Sequence, residues 1–116
     1  ISATRVRNFA FISGTASINN KGEVVYPGDI RKQTHRMWEN IEALLNEAEC
    51  SFDDVAQAIV YLRDPADHQV VKEMFEQHFP CLPKVILLAP VCRPGWLIEM
   101  ECIAVKADQN ENFANY

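Results

Sequence analysis

The stretch from Leu97 to Val105, LIEMECIAV, constrains the fold more than any other part of the chain. Successive side chains of a β-strand point to opposite faces, so every second residue shares a face. One face of this stretch is uniformly apolar, whereas the other carries Glu99 and Glu101 between apolar ends. Because a wholly apolar face needs a covering layer, we expect a sheet with helices packed on one side and the two glutamates on the other.

Residues 30–48 predict the main covering helix. Apolar residues recur there every three or four positions for about five turns, and Asp29 precedes them as a candidate N-cap. A shorter helical pattern spans 67–78, and Pro80 follows it. Runs of β-favouring residues bounded by turn formers predict the strands. The predicted strands are 4–12 (as one or two strands), 23–26, 55–62, 84–89 and 97–105, with the last two forming a hairpin.

The element order is therefore β-β(-β)-α-β-α-β-β, in which 23–26 is the optional third strand. A mixed sheet with two helices packed on one face is an α+β layer fold. A length of 116 residues suits a single domain. We expect that domain to span 1–107 and the polar residues 108–116 to form a tail.

Charge and composition exclude several partners. The formal net charge is −5 and no Lys/Arg cluster is present, so we expect no nucleic acid. No apolar run approaches the ~20 residues of a membrane span, and we expect no signal peptide. The four cysteines lack C-x-x-C spacing, which favours reduced thiols in a cytoplasmic protein, although an even count also permits disulfides. Because the sequence begins at Ile1, we also expect a domain cut from a longer polypeptide or a trimmed chain.

The charged residues of the last two strands are the first candidates for a site. Glu99 and Glu101 lie roughly 6.6 Å apart along a strand, and a carboxyl in such a pair can act as a general acid or base. The alternative is that both keep an exposed sheet face soluble. Lys84 opens the preceding strand, where it either binds an anion such as a carboxylate or protects a sheet edge from aggregation.

Two loops supply further candidates. Small residues around Ser13 and Gly14 would let a ligand approach the backbone closely, unless they form a plain turn. Arg93 could clasp a carboxylate and favour the thiolate of Cys92, while a surface arginine and a packed cysteine are the simpler interpretation. The three histidines lack metal-ligand spacing and no phosphate-binding glycine motif is present, so we expect no metal and no cofactor.

Together these segments resemble the Rid (YjgF) family, whose older names are L-PSP endoribonuclease and translation initiation inhibitor. The resemblance covers nearly all of residues 5–106. It implies a chorismate-mutase-like α+β fold, a homotrimer, and ligand-binding clefts between neighbouring subunits. It rests on the stretches FISGTASINNKGEV, QTHRMWENIEALLNEAECSFDDV, VYLRDPADHQVVKEMFEQHF and LIEMECIAV.

Deaminases of this family hydrolyse the enamines and imines that amino-acid dehydratases release from serine or threonine. The resemblance makes Glu99 the catalytic acid and places Ser13 and Gly14 in the cleft. The family arginine that clasps the substrate carboxylate lies fifteen residues before that glutamate, a position held here by Lys84. A lysine ammonium group binds a carboxylate as a point charge, whereas the planar guanidinium group of arginine can form two parallel hydrogen bonds to it. The asparagine on the second helix of the deaminases is Lys72 here.

A second resemblance is to the C-terminal Rid-like half of the chorismatases, in which Cys92 and Arg93 would line the pocket. It rests on the stretches FISGTASI, YLRDPAD and CRPGWLIEME. Three functions stay open. The first is a domain that binds a small carboxylate-bearing metabolite between subunits and hydrolyses it in a chorismatase-like or divergent reaction, with Glu99 positioning water. The second is a 2-iminobutanoate/2-iminopropanoate deaminase, and the third is a non-catalytic binding or oligomerisation domain. Ribonuclease activity is not expected of an acidic chain without a paired histidine site.

Overall fold

The computed structural model describes residues 3–6, 9–91 and 93–106. These residues form five strands, two α-helices and two short 3-10 helices, which confirms the predicted α+β class. Within these ranges no helix is long and apolar enough to cross a membrane. The elements are β1 (Ala3–Val6), β2 (Phe9–Thr15), α1 (Ile30–Glu47), β3 (Val55–Leu62), α2 (His68–His78), β4 (Lys84–Leu88) and β5 (Ile98–Val105).

The strands form one mixed sheet in the order β1-β2-β5-β3-β4. β3 and β4 are parallel, and the other neighbouring pairs are antiparallel. Helix α2 supplies the crossover that a parallel pair requires. The acidic strand β5 lies at the centre of the sheet, between β2 and β3, so residues from both neighbours can approach its two glutamates.

Two predictions about strands are wrong. β4 and β5 do not form a hairpin, because β3 lies between them in the sheet. The strand predicted at 23–26 is reduced to a single bridge between Ile18 and Val24. The chain turns there into the start of α1, with Tyr26 at φ 56° and Gly28 at φ 78°, and this left-handed backbone cannot continue a strand.

Both helices cover one face of the sheet, as the alternation in β5 predicts. The helix-facing residues of β5 are all at most 4% exposed. Each large apolar side chain buried in this way stabilises the fold by roughly 1.5–3 kcal/mol. This core includes Ile98, Met100, Cys102 and Ala104 from β5, Met37, Trp38, Ile41 and Leu45 from α1, and Val71, Met74 and Phe75 from α2.

The cap predicted at Asp29 is confirmed, and a second capped turn precedes β3. An Oδ1 atom of Asp29 accepts a hydrogen bond from the backbone N–H of Lys32 at 3.0 Å, which satisfies a free donor in the first turn of α1. Before β3, the backbone N–H of Ser51 donates to the carboxylate of Asp54 at 2.9 Å. These caps fix where α1 and β3 begin.

The other face of the sheet, formed by the residues of β2, β3, β4 and β5 that point away from the helices, is called the open face here. Glu99 and Glu101 lie on it and are half-buried. With the partly buried Ile59 and Ile103 between them, this face exposes two groups of large apolar side chains among the described residues, three on β2 and β5 and two on the edge strand β4. They are Phe9, Phe11, Val85, Leu87 and Val105.

Candidate functional site

The candidate site begins at an irregularity in β2. Ile12 and Thr15 are three positions apart, but their partners on β5 are only two positions apart. The extra residue forms a β-bulge at Ser13 and Gly14, and Thr15 Oγ1 donates to the Ser13 carbonyl at 2.8 Å within it. Bulges occur next to active sites because they re-aim a side chain.

Glu99 lies against this bulge. A Cβ atom added to Gly14 would lie 2.7 Å from Oε1 of Glu99 and 3.1 Å from its Cδ. The missing side chain at Gly14 therefore makes the room that the carboxyl group occupies. The structure thus brings Gly14 and Ser13 together with Glu99, while the roles assigned to them stay predictions.

Tyr61 contacts the acidic pair and was not among the predicted site residues. It lies directly opposite Glu99 in the β3–β5 register, and its hydroxyl donates to Oε1 of Glu101 at 2.9 Å. The pKa of Tyr61 is raised, first because of this hydrogen bond, then by burial and by the negative charges of Glu101 and Glu99. The three side chains therefore act on one another. The sequence signal was available, because Tyr61 alternates with the core residues Val60 and Leu62 of β3.

A cavity of about 310 Å³ opens on the open face beside Glu101. Its polar groups come from Ser13, Gln57 and Glu101, and the rest of its lining is mostly apolar. A largely apolar cavity with a few placed polar groups is typical of small-molecule sites. The other lining residues are Phe11, Ile12, Ile59, Cys102 and Ile103.

Lys84 does not lie beside Glu99 within one chain. The register places it level with Ala58, whose side chain is in the core, and its Nζ lies 5.3 Å from the ring centre of Phe75. Lys84 therefore points to the helix side of the sheet, whereas Glu99 lies on the open face. The two residues are also two strands apart, which is roughly 10 Å across the sheet. A single chain cannot present both groups to one small ligand.

Arg93 is anchored in the loop that leads to β5. Its Nη1 donates to the carbonyl of Gly22, and its guanidinium carbon lies 5.4 Å from the ring centre of Trp96. Arg63 donates to the carbonyls of both Arg93 and Trp96. The ligand-binding role of Arg93 stays a prediction, and Cys92 lies outside the described residues.

Gln33 is a second polar residue that was not predicted. It is fully buried in α1, and its Nε2 donates to the carbonyls of Tyr26 at 3.1 Å and Gly95 at 3.0 Å. Its Oε1 accepts from the backbone N–H of Leu97 at 2.9 Å. Gln33 therefore ties α1 to the loop that enters the acidic strand. A polar residue beside the apolar stripe of a helix was the signal in the sequence.

The chemistry available at the site is that of carboxyl groups. The described residues contain no group of three or more His, Cys, Asp and Glu side chains placed to hold a metal ion. Burial raises the pKa of the Cys102 thiol to about 12, with smaller contributions from Cys50 and Glu101. Because the thiolate is the nucleophile, Cys102 is inert near neutral pH. Glu99, at the bulge, is therefore the best candidate for acid–base chemistry.

Comparisons with known proteins agree with this architecture. The family model described as endoribonuclease L-PSP matches residues 1–106. A RutC family protein of Pyrococcus abyssi is 38% identical over 106 residues, which cover 90% of this chain and 84% of the relative. A 3-aminoacrylate deaminase, RutC of Acinetobacter baylyi, is 28% identical over 106 residues, with the same two shares.

A solved structure of a Thermotoga maritima protein superposes on the chain with a TM-score of 0.82. The two are 30% identical, and the match covers 92% of this chain and 86% of that one. The family model spans all the residues that carried the resemblance, and the relatives and the superposition each cover about nine tenths of the chain. The chain belongs to the endoribonuclease L-PSP family, which is the Rid (YjgF) family.

Proposed function

We propose that this protein binds a small carboxylate-bearing metabolite in a cleft between two subunits and hydrolyses it, and that the metabolite is the imine or enamine of a short amino acid. The carboxyl group of Glu99, seated against Gly14, is the observation that carries this proposal. The relative named 3-aminoacrylate deaminase supports an enamine in preference to other hydrolysable ligands.

The proposed reaction needs one acid–base group. An enamine first gains a proton from solvent at carbon and becomes an iminium ion. Glu99 then takes a proton from water while the hydroxyl adds to the C=N carbon. It returns that proton to the nitrogen and takes the proton of the new hydroxyl group as the C–N bond breaks. Ammonia leaves, a 2-oxo acid remains, and Glu99 releases its proton to solvent. Such positioned proton transfer typically contributes about 10²–10⁴-fold to the rate.

The ligand carboxylate is assigned to Lys84 of a neighbouring subunit. Lys84 points to the helix side of its own sheet, away from the Glu99 of the same chain. Lys84 begins the edge strand β4, so it lies at an edge of the sheet where a second subunit can pack. A complete site would then combine Glu99 of one subunit with Lys84 of the next.

A homotrimer is the assembly we propose. The open face exposes Phe11 on one side and Val85 and Leu87 on the other, each more than 40% exposed. The partly buried Ile59 and Ile103 lie between them, and an apolar face of this kind mostly marks an interaction site. A second copy of the chain would cover this face and close the cleft at Glu99. Sedimentation velocity would show a trimer, and a monomer at micromolar concentration would contradict the shared site.

Turnover tests the function directly. We expect the wild-type protein to accelerate ammonia release from 2-aminoacrylate generated from serine by a dehydratase, and Glu99→Gln to lose at least ~100-fold of that activity. Glu42→Gln, an exposed glutamate of α1, is the matched control and should keep full activity. Turnover of chorismate in place of 2-aminoacrylate would favour the chorismatase-like reaction. No turnover of either compound would leave a non-catalytic binding domain.

A further inference from the structure

We infer that Tyr61 is a positioning residue of this site: it aims the Glu101 carboxylate at the nitrogen of a ligand bound at Glu99, and thereby favours ligands whose nitrogen is cationic. The inference rests on the proposed function, because it takes Glu99 as the place where the ligand binds. In this inference Glu101 recognises the nitrogen of the ligand, and Glu99 carries out the proton transfer.

The register explains how Tyr61 reaches Glu101. Tyr61 lies opposite Glu99, so Glu101 is its diagonal neighbour on the same face. Diagonal neighbours of an antiparallel pair are about 7–8 Å apart, a distance that an aromatic side chain can span. The hydroxyl donates to Oε1 at 2.9 Å. Oε2 of Glu101 therefore stays available to a ligand in the cavity that Glu101 lines.

The Tyr61 ring is itself held in place. It packs against a small buried cluster of Ala16, Val91 and Trp96, together with Ile18 and Val24. A ring fixed on one side presents its hydroxyl from a constant position, so the hydrogen bond restricts the Glu101 rotamer. Because that hydroxyl donates to a carboxylate, Tyr61 does not serve as the proton donor to the ligand, and its raised pKa agrees with this.

Charge explains the preference for a cation. Two glutamates lie on the same face of the sheet, and the cavity that Glu101 lines is otherwise mostly apolar. Lys84 of the same chain is on the opposite side of the sheet. An iminium or ammonium group bearing a short alkyl chain matches this surface, whereas a 2-oxo acid of the same length offers no positive charge to Glu101. The arrangement therefore favours the nitrogen-bearing substrate over the product.

Two stable probes isolate the recognition of nitrogen. 2-Aminobutanoate and 2-oxobutanoate share a carboxylate and an ethyl group. The first carries an ammonium group at the carbon where the second carries a carbonyl oxygen. Calorimetry or methyl NMR at Ile59 and Ile103 gives both dissociation constants without turnover. We expect the wild type to prefer 2-aminobutanoate, Glu101→Gln to lose about tenfold of that preference, and Tyr61→Phe to lose about threefold to tenfold.

Matched controls and a double variant sharpen the test. Tyr26→Phe and Glu42→Gln change exposed residues outside the cavity and should keep the wild-type preference. Because Tyr61 acts through Glu101, the double variant should lose no more preference than Glu101→Gln alone. In all variants the affinity for 2-oxobutanoate should change by less than about twofold, which a general loss of structure would not allow.

The results separate this inference from the proposed function. No preference in the wild type, or an unchanged preference in Tyr61→Phe, overturns the inference even if 2-aminoacrylate is turned over. A preference that depends on Tyr61 supports the inference even if no turnover is found, in which case the proposed reaction alone fails. If an activity is present, Tyr61→Phe should raise KM and change kcat by less than about twofold.

Discussion

Replacing Gly14 with alanine tests whether the bulge exists to seat the Glu99 carboxyl. The new Cβ would lie 2.7 Å from Oε1, and an ordinary contact begins at 3.4 Å, so the carboxyl must retreat by about 0.7 Å. The obstructing atoms are the end of a flexible side chain, and the backbone at Gly14 is not left-handed. The substitution should therefore displace Glu99 without breaking the fold.

The expected magnitudes differ for stability and activity. Alanine at a compatible position gains about 0.4–1 kcal/mol through the unfolded state, and an off-rotamer Glu99 costs about 0.5–1.5 kcal/mol. These effects nearly cancel, so the melting temperature should stay within about 4 °C of the wild type. A displacement of this size at a reacting group costs up to ~100-fold in rate, which should appear in kcat/KM for 2-aminoacrylate.

Gly22→Ala is the matched control, because it should lower stability and leave the activity unchanged. Gly22 has φ +77°, and a Cβ added there would meet no atom of the described residues within 4 Å, so alanine introduces backbone strain without a side-chain clash. Strain of about 1–2 kcal/mol should lower the melting temperature by roughly 4–8 °C while kcat/KM of the folded protein is kept. The reasoning is refuted if Gly14→Ala melts like the wild type and turns over at the wild-type rate, or if it fails to fold.

Three further predictions concern single side chains. The phenol of Tyr61 should ionise at higher pH than an ordinary tyrosine, and Glu101→Gln should lower its pKa, as followed by absorbance at 295 nm with Tyr61→Phe as the reference. Because the pKa of Tyr61 is higher in the folded state than in the unfolded state, its phenol contributes stability that is complete below about pH 10. That contribution is lost as the pH rises through the folded-state pKa. An equal pKa of Tyr61 in the wild type and in Glu101→Gln would contradict the Tyr61–Glu101 contact. Gln33→Leu should destabilise the fold by about 2–4 kcal/mol in urea, because it leaves the Leu97 N–H and two carbonyls unpaired, whereas the exposed control Gln77→Leu should change stability by less than about 0.5 kcal/mol. Among the described cysteines, exposed Cys81 should react rapidly with a thiol reagent at pH 8, while buried Cys50 and Cys102 should not. Fast labelling that persists in a Cys81→Ser, Cys92→Ser double variant would contradict the burial of Cys50 and Cys102.

The helices and strands were predictable because their apolar residues recur at clear intervals along the sequence. The α1 stripe and the alternation in β5 each identify a buried side, and the boundaries of β3 agree with the prediction residue for residue. Strand order was not predictable from these patterns. Two consecutive apolar strands, β4 and β5, suggested a hairpin, but local periodicity carries no information about which strand lies between them.

The candidate site was predictable only in part. Small residues at Ser13 and Gly14 and the charge of Glu99 stand out in the sequence, and the structure brings them together. Lys84 was linked to Glu99 by an offset along the chain, yet the register separates the two within one subunit. Tyr61 and Gln33 were missed because their importance lies in hydrogen bonds to residues far away in the sequence.

Subunit mixing tests the central claim, a hydrolytic site that is shared between copies. Glu99→Gln and Lys84→Ala should each be inactive on 2-aminoacrylate. When equal amounts are unfolded and refolded together, random assembly gives about one site in four with both an intact Glu99 and an intact Lys84. The account predicts that the mixture recovers about one quarter of the wild-type activity. A mixture as inactive as its components, with both variants folded and oligomeric, would contradict it.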